Sequence, residues 1–258
     1  MYKILLSTIT TALLLTTANA KDSHDHGAHA KGSSVHWGYQ GDAGPLNWGN
    51  LKSEYFMCKE GKNQSPINIT SAYEVEKKPL KINHKAGGEE VLFNGHAIQV
   101  NYAAGSSIDV DGHVFELKQF HFHNPSENTI DGKSFPMEAH FVHADKDGNL
   151  AVLGLMFVEG KENGELAKLI EVLPHKTGEK NKLKSVADSN GLLPKEKDYY
   201  RFTGSLTTPP CSEGVIWAVF KKPVTASKEQ IKAIADVLGH ANNRPVQPIN
   251  ARIIGEVD

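Results

Sequence analysis

Cysteine is scarce in this chain, and neither sign of charge is in excess. Only Cys58 and Cys211 occur among 258 residues, and 28 basic residues balance 30 acidic ones. The balanced charge excludes the basic surface typical of proteins that bind nucleic acids or anionic membranes. Neither cysteine belongs to a C-x-x-C pair, which argues against cysteine zinc ligands. If the chain is exported, the pair predicts one disulfide, with two free thiols as the alternative.

Long hydrophobic runs are also missing, apart from one at the N-terminus. Residues 1–20 contain Lys3, an apolar run over residues 4–15 and the small-residue motif Ala18-Asn19-Ala20. This pattern predicts a secretory signal peptide; an uncleaved amphipathic anchor is the alternative, and the run is too short and polar for a good transmembrane helix. No lipidation cysteine lies near the cleavage site, so we expect a periplasmic protein, with release from the cell as the alternative.

Residues 21–34 are small and polar and have no hydrophobic periodicity. Such a composition is typical of a flexible linker. Its three histidines raise an alternative, weak metal scavenging by the tail: His24, His26 and His29. Residues 35–258 contain no further linker and no repeat, and we expect one domain there.

Turn signals dominate the rest of the sequence. Asn94-Gly95, Asp111-Gly112 and Asp147-Gly148 each separate two short apolar stretches, and each predicts a β-hairpin. Helical spacing is confined to residues 162–173 and 227–240; the second of these begins with a capping box. The predicted fold class is mainly β (α+β): a single domain with a central, largely antiparallel sheet and a few short peripheral helices.

Two stretches combine histidines with strand-like alternation. In residues 119–123, QFHFH, a strand places Gln119, His121 and His123 on one face and the phenylalanines on the other. In residues 137–143, MEAHFVH, Glu138 and His140 share a face. If the two strands pair, the three histidines converge.

Three imidazoles without a fourth protein ligand describe a catalytic zinc site with one open position. A zinc-bound imidazole usually donates its second N–H to an oxygen acceptor, and Gln119 and Glu138 each precede a histidine by two residues. An H-x-H pair alone is more typical of surface or core histidines. The third histidine and the two acceptors together favour a site for one Zn²⁺ per chain.

Further motifs extend over the chain in a fixed order: HWGY (36–39), QSPINI (64–69), NGHA (94–97), GSLTTPPC (204–211) and NNRPVQPINAR (242–252). With the histidine stretches, they make the sequence resemble the α-class carbonic anhydrases over nearly the whole mature chain. The resemblance implies a conical cavity with zinc at its floor, held by His121, His123 and His140. It also implies the reversible hydration of carbon dioxide to bicarbonate and a proton.

The resemblance assigns roles to further residues. Thr207 would accept a hydrogen bond from the attacking hydroxide and donate its single proton to Glu127, which fixes its direction. His96 matches the proton shuttle, although by itself it would be an exposed histidine in a hairpin turn. Cys58 and Cys211 match a disulfide of exported members, and this would brace the segment that carries Thr207.

The same resemblance implies two linings for the cavity. An apolar pocket for carbon dioxide would contain Val142, Val152, Leu206, Val215 and Trp217, with Thr208 beside them. Without the resemblance, these apolar residues would be read as sheet core. The residues that order cavity water would be Tyr39, Asn94 and Gln99.

Three positions depart from the family pattern. Many relatives have histidine where this chain has Asn128, and tyrosine where it has Phe202. These two family residues can hydrogen-bond to each other, so we interpret the two changes as one compensated exchange near the metal site. Asn124 replaces a tryptophan that is frequent in animal relatives.

Two other functions compete with the enzyme: a catalytically silent binding domain on the same fold, and a periplasmic zinc buffer. Silent relatives typically lose zinc-binding histidines, whereas this chain keeps all three as well as Thr207 and Glu127. We therefore expect a carbonic anhydrase that acts on a small-molecule substrate as a monomer or homodimer, with no nucleic-acid or membrane partner.

Overall fold

The computed structural model describes residues 36–76 and 79–258. The predicted signal peptide and the histidine-containing linker lie outside these residues, so the boundaries after residues 20 and 34 stay predictions. None of the helices in the described part is long and apolar enough to cross a membrane.

Strands form most of the regular structure. In the described chain, thirteen belong to one sheet and two short ones pair separately. In chain order they are β1 (Asn68–Ile69), β2 (Tyr73–Glu74), β3 (Lys81–Asn83), β4 (Gly88–Phe93), β5 (Ile98–Tyr102), β6 (Ser107–Val110), β7 (His113–His123), β8 (Thr129–Ile130), β9 (Met137–Ala144), β10 (Leu150–Glu159), β11 (Lys180–Ala187), β12 (Tyr199–Ser205), β13 (Glu213–Phe220), β14 (Val224–Ala226) and β15 (Gly255–Val257).

The main sheet is mixed but largely antiparallel. Its central order is β4-β5-β7-β9-β10-β13-β12, and only the β10–β13 pair among these neighbours is parallel. Outside this series, β14 pairs parallel to β10, and β2 pairs parallel to β15. The predicted fold class is therefore confirmed, with these parallel pairs as an addition.

All three predicted hairpins are present, as β4–β5, β6–β7 and β9–β10. Asp111 and Gly112 both adopt positive φ, 55° and 89°. A type I′ turn requires this conformation at both central residues, and Asp-Gly is among the pairs that tolerate it. This turn begins β7, the strand that carries two of the three histidines.

The helices are short and few in the described chain. Of the two predicted ones, Lys228–Leu238 has both hydrogen bonds of the Ser227/Gln230 capping box and ends at Gly239 with φ 71°. The α-helices are α1 (Trp48–Leu51), α2 (Met57–Glu60), α3 (Gly164–Ile170) and α4 (Lys228–Leu238), and the 3₁₀ helices are Gly41–Ala43, Ser53–Tyr55 and Ser189–Gly191.

The two faces of the sheet bury different residues. Phe120, Phe122 and Phe141 belong to a large apolar cluster with the buried leucines and isoleucines of α3 and α4. On the other face, Val152 and Trp217 belong to a smaller cluster. Because side chains alternate along a strand, burial of the phenylalanines directs the histidines between them to the face that carries the site.

The predicted disulfide joins Cys58 and Cys211, whose Cα atoms lie 5.0 Å apart across 153 positions of sequence. Gln64 Nε2 donates to the carbonyl of Cys211, and Arg244 Nη2 donates to that of Cys58. The cross-link therefore ties the segment before β1 to the loop between β12 and β13, which contains Thr207.

Candidate metal centre and active site

The three predicted ligands converge, since β7 and β9 are antiparallel neighbours. His121 lies directly opposite His140, and His123 lies opposite Glu138. One ring nitrogen from each of His121, His123 and His140 lies within 4.8 Å of the others. His123 and His140 are each only 1% exposed. Strand pairing alone thus assembles a compact set of three imidazoles.

Hydrogen bonds select which nitrogen of His121 and His123 is free. Nδ1 of His121 lies 2.8 Å from Gln119 Oε1, and Nδ1 of His123 lies 2.8 Å from the carbonyl oxygen of Asn242. Both acceptors are oxygens, so each Nδ1 carries the proton and each Nε2 keeps a lone pair. Nε2 of His123 is buried and has no hydrogen-bond partner among the described residues. Such an orphaned nitrogen fits a metal ligand.

Glu138 orients the third imidazole from the opposite side. Its Oε1 lies 2.9 Å from Nε2 of His140, without the alignment of a hydrogen bond. Because the carboxylate occupies the Nε2 side, Nδ1 is the nitrogen left to bind a metal. Glu138 is itself held by the backbone N–H groups of Glu127 and Asn128 and by the Asn128 amide. The donor set is therefore Nε2, Nε2 and Nδ1, and the residues fit a zinc ion with one open position.

Burial determines the charge state of this centre. It lowers the pKa of all three imidazoles, and in His121 and His140 the neighbouring imidazoles lower it further. Burial also raises the pKa of Glu138, and that of Glu127 to about 8. The positive charge of a metal ion held by the histidines would lower both pKa values and favour the carboxylate form. Neutral imidazoles are the form that binds metal.

Thr207 and Glu127 form a directed pair next to the histidines. The Thr207 hydroxyl hydrogen-bonds to the Glu127 carboxylate, which also accepts the backbone N–H of Arg244 at 2.8 Å. The other oxygen, Oε2, lies 3.4 Å from Nε2 of His123. Since a carboxylate only accepts, the hydroxyl donates to it and presents a lone pair to the site.

One side of the cavity is apolar. Val142, Val152, Leu206 and Trp217 line it together with His140, Thr207 and Thr208. The Trp217 ring meets the His140 ring edge-on, with centroids 4.9 Å apart. Val215 is not among the lining residues; it is 2% exposed and packs in the apolar cluster behind this wall.

The other side of the cavity is polar. It is lined by Tyr39, Asn94, His96 and Gln99, and it meets the apolar side at Gln119, His121 and Thr208. Asn94 Nδ2 donates to Gln99 Oε1 at 3.1 Å, while its Oδ1 accepts the backbone N–H groups of His96 and Ala97. The β4–β5 hairpin therefore holds Asn94, Gln99 and His96 together.

His96 is not the freely exposed turn residue that its local sequence suggests. It is half-buried and stacks on Trp37, with ring centroids 3.6 Å apart and planes at 9°. Burial lowers the pKa of His96 to about 4, and His36 and His240 contribute to the same shift. In this position the imidazole holds a proton poorly at neutral pH.

Comparison with known proteins agrees with this geometry. The family model described as eukaryotic-type carbonic anhydrase matches residues 43–257. The chain belongs to the α-carbonic anhydrase family. A carbonic anhydrase of Neisseria gonorrhoeae is 47% identical over 95% of this chain and 96% of its own length. The structure of the α-carbonic anhydrase from Thermovibrio ammonificans with the inhibitor sulfanilamide has a TM-score of 0.84 and 52% identity, covering 86% and 99% of the two chains.

The family also contains proteins with other names, such as dioscorin DB3S from Dioscorea polystachya, 33% identical over 82% of each chain. By contrast, bacterial relatives at 45–49% identity are named carbonic anhydrases, including that of Pectobacterium carotovorum, which is matched over 86% of this chain and 91% of the relative. The predicted family and enzyme class are confirmed, and the silent binding domain is not favoured.

Two residues of this carbonic anhydrase were missed by motif reading, although both lie in the quoted stretch NNRPVQPINAR. Asn242 is fully buried, holds His123 through its carbonyl, and donates from its amide to the carbonyls of His96 and Phe122. Arg244 supplies the N–H to Glu127. Their position in a family motif was the only available indication, and a motif does not show which residues they hydrogen-bond to.

The departures from the family pattern find replacements in the structure. Asn128 donates from Nδ2 to Glu138 at 2.8 Å and accepts the Ile67 N–H through Oδ1. Phe202 stacks parallel to Trp217 at 6.0 Å. Asn124 donates from its side-chain amide to the Pro136 carbonyl and from its backbone N–H to Asn242 Oδ1. The carboxylate that orients His140 is thus fully held without the histidine–tyrosine pair.

Proposed function

We propose that this chain catalyses the reversible hydration of carbon dioxide to bicarbonate and a proton, with one zinc ion held by His121, His123 and His140. The observation that carries the proposal is the convergence of three neutral imidazoles whose second nitrogens each lie 2.8–2.9 Å from an oxygen. When bound, zinc would supply a Lewis acid that makes water far more acidic.

Thr207 orients the attacking oxygen. Its proton is committed to Glu127, so its lone pair accepts a hydrogen bond from the nucleophile and turns a lone pair of that nucleophile toward the substrate carbon. The Arg244 N–H holds Glu127 from behind. Orientation of this kind contributes to catalysis because the reacting atoms meet in one geometry.

The apolar side of the cavity receives the substrate. Carbon dioxide has no charge and no hydrogen, so Val142, Val152, Leu206 and Trp217 suit it better than a charged clamp. Bicarbonate, the product, is charged and favours the polar side. The two sides meet at His121 and Thr208, which places substrate and product next to the metal centre.

Each turnover releases a proton, and His96, the histidine on the polar side that is not a predicted zinc ligand, is the candidate to receive it through cavity water. It lines the polar side with Tyr39, Asn94 and Gln99. Because burial lowers the pKa of His96 to about 4, it passes a proton on more readily than it retains it.

We also propose that the mature protein acts in the periplasm. The N-terminal 20 residues have the pattern of a secretory signal, and the disulfide suits an oxidising compartment. Cell fractionation with an antibody against the mature chain tests this location; protein confined to the cytoplasmic fraction would refute it.

The experiment that tests the function is stopped-flow hydration of carbon dioxide by the purified chain, before and after zinc is removed with a chelator. We expect hydration that is lost on chelation and restored by one equivalent of zinc. A version lacking residues 21–34 should retain that zinc, because the ligands lie in the sheet. Tight zinc binding that disappears with the tail, with no hydration, would favour the zinc buffer instead.

A further inference from the structure

Two further imidazoles, those of His36 and His240, lie near His96, which lines the polar side of the cavity. The His36 ring centroid is 4.9 Å from that of His96. Tyr39 stands between His96 and His240, at 6.4 Å and 6.0 Å from their rings. Both neighbours also act electrostatically on His96, and both lower its pKa. His36 and His240 therefore belong to the electrostatic surroundings of the shuttle position.

The chain fixes His240 relative to the metal centre. Two residues further on, Asn242 holds His123 through its carbonyl and the His96 carbonyl through its amide. Both of these hydrogen bonds are short, at 2.8 Å and 2.9 Å, and Asn242 is fully buried. His240 thus stands at the outer end of a segment whose inner end is bonded to a ligand.

The ring of His240 has a defined basic nitrogen. Nδ1 lies 3.0 Å from the carbonyl oxygen of Ala241 and therefore carries the hydrogen in the neutral form. Nε2 keeps its lone pair. The side chain is half-buried and accessible to solvent, so buffer can reach it. Histidine is the side chain suited to take and release a proton near neutral pH.

We propose that His240 is a second proton acceptor of the hydration reaction, placed after His96 on the path from the cavity to solvent. The inference rests on the proposed function. The proton released with each bicarbonate passes through cavity water to His96, through water to Nε2 of His240, and then to a buffer base. Both imidazoles return to the neutral form, so one proton leaves for each bicarbonate formed.

A second acceptor compensates for the short time during which His96 carries a proton. An imidazole stacked on Trp37 and flanked by two others transfers a proton outward easily, but it is occupied only briefly. An acceptor nearer to solvent raises the chance that the proton leaves before it returns to the cavity. Removal of that acceptor should slow proton release without touching the step that forms bicarbonate.

The test compares wild-type protein with His96→Ala, His240→Ala, the double variant and His113→Ala in stopped-flow hydration, in dilute and in concentrated buffer. His113 is an exposed control at the start of β7, ten positions before His123 and about 33 Å away along the strand. For His240→Ala in dilute buffer we expect kcat to fall roughly threefold to tenfold, with kcat/KM unchanged. Added imidazole should restore kcat, and the double variant should be about as slow as His96→Ala, because the two acceptors act in series.

Two outcomes would overturn the proposal. One is a kcat for His240→Ala in dilute buffer equal to that of wild type and His113→Ala. The other is an equal fall in kcat and kcat/KM that imidazole does not restore, which would make His240 a structural residue. If every protein, control included, lacks hydration activity, the proposed function fails as well, and that result is distinct from a defect confined to His240.

Discussion

Two groups of buried histidines lie on opposite sides of strand β9, and they differ in one respect. On β9, His140 faces the metal centre, whereas His143 faces the phenylalanine side and meets His84, with their Nε2 atoms 3.0 Å apart. Burial lowers the pKa of His84 to about 4 and that of His143 to about 3. Neutral, buried imidazoles therefore occur in both groups and do not by themselves identify a site.

The difference lies in the hydrogen bonds. In the His84–His143 pair every ring nitrogen has a partner: Nδ1 of His143 donates to the Phe141 carbonyl, its Nε2 accepts from Nε2 of His84, and Nδ1 of His84 accepts from the Ser189 hydroxyl. At the metal centre, Nε2 of His123 has no such partner in the described chain. A buried polar atom without a partner is costly, so it marks function where a satisfied one marks structure.

The largest expected effect comes from breaking each group in turn. His121→Ala removes one of three zinc ligands, and we expect loss of stoichiometric zinc and a fall in kcat/KM of about 10³-fold or more. His84→Ala breaks the satisfied pair and should leave both the zinc content and kcat/KM within about twofold of wild type. Zinc analysis and stopped-flow hydration measure both. Retention of zinc and activity by His121→Ala would show that the three imidazoles do not form the metal site.

A second, smaller effect should distinguish the side-chain amide that supports the metal centre from the one that supports the His84–His143 pair. Asn128 donates to Glu138 beside His140, and Asn190 donates from Nδ2 to the His84 carbonyl at 2.8 Å. Asn128→Ala should weaken zinc binding by roughly 10-fold to 100-fold, since the carboxylate that orients a ligand loses its donor. Asn190→Ala, the matched control, should not change zinc affinity. Competition with a fluorescent chelator gives both values, and equal affinities in the two variants would contradict the role of Asn128.

The fold was predictable where local chemistry decides it. Asp111-Gly112 specifies its turn because few pairs tolerate positive φ at both positions, and the Ser227/Gln230 box specifies where α4 begins. The parallel β10–β13 pair was not predictable, because each strand is a continuous apolar run with both faces buried. Such runs carry no alternation from which direction or neighbour follows.

The candidate site was predictable where alternation and motif order decide it, which covers the three ligands and their acceptors Gln119 and Glu138. The partner of His123 escaped, because a backbone carbonyl such as that of Asn242 has no sequence signature. The stacking of His96 on Trp37 escaped for another reason: residues 59 positions apart meet only in the folded chain. Likewise, the pairing of His143 with His84 escaped, because His84 lies on a distant segment.

The smallest effect concerns the pH dependence of stability and is tested at the His84–His143 pair. Because the folded-state pKa values of His84 and His143 lie below the ordinary 6.5, the unfolded chain binds more protons than the folded one between about pH 6.5 and pH 4. The free energy of unfolding should therefore fall as the pH is lowered through this range. His84→Gln preserves a donor toward His143 and an acceptor for Ser189, so at pH 7 we expect a cost of only about 1 kcal/mol, or roughly 2–4 °C in Tm.

The decisive quantity is the change of the free energy of unfolding with pH, measured by urea unfolding of the zinc-loaded protein at pH 7, 6 and 5. His84→Gln lacks one of the two titrating histidines of this pair, so its stability should decline less steeply than that of wild type. Zinc-ligand contributions are common to both proteins and cancel in the comparison. His113→Gln, which replaces an exposed histidine, controls for the loss of a surface imidazole. Parallel declines in wild type and His84→Gln would mean that the pair does not stay neutral in the folded state, and the contrast between the two groups of histidines would then rest on geometry alone.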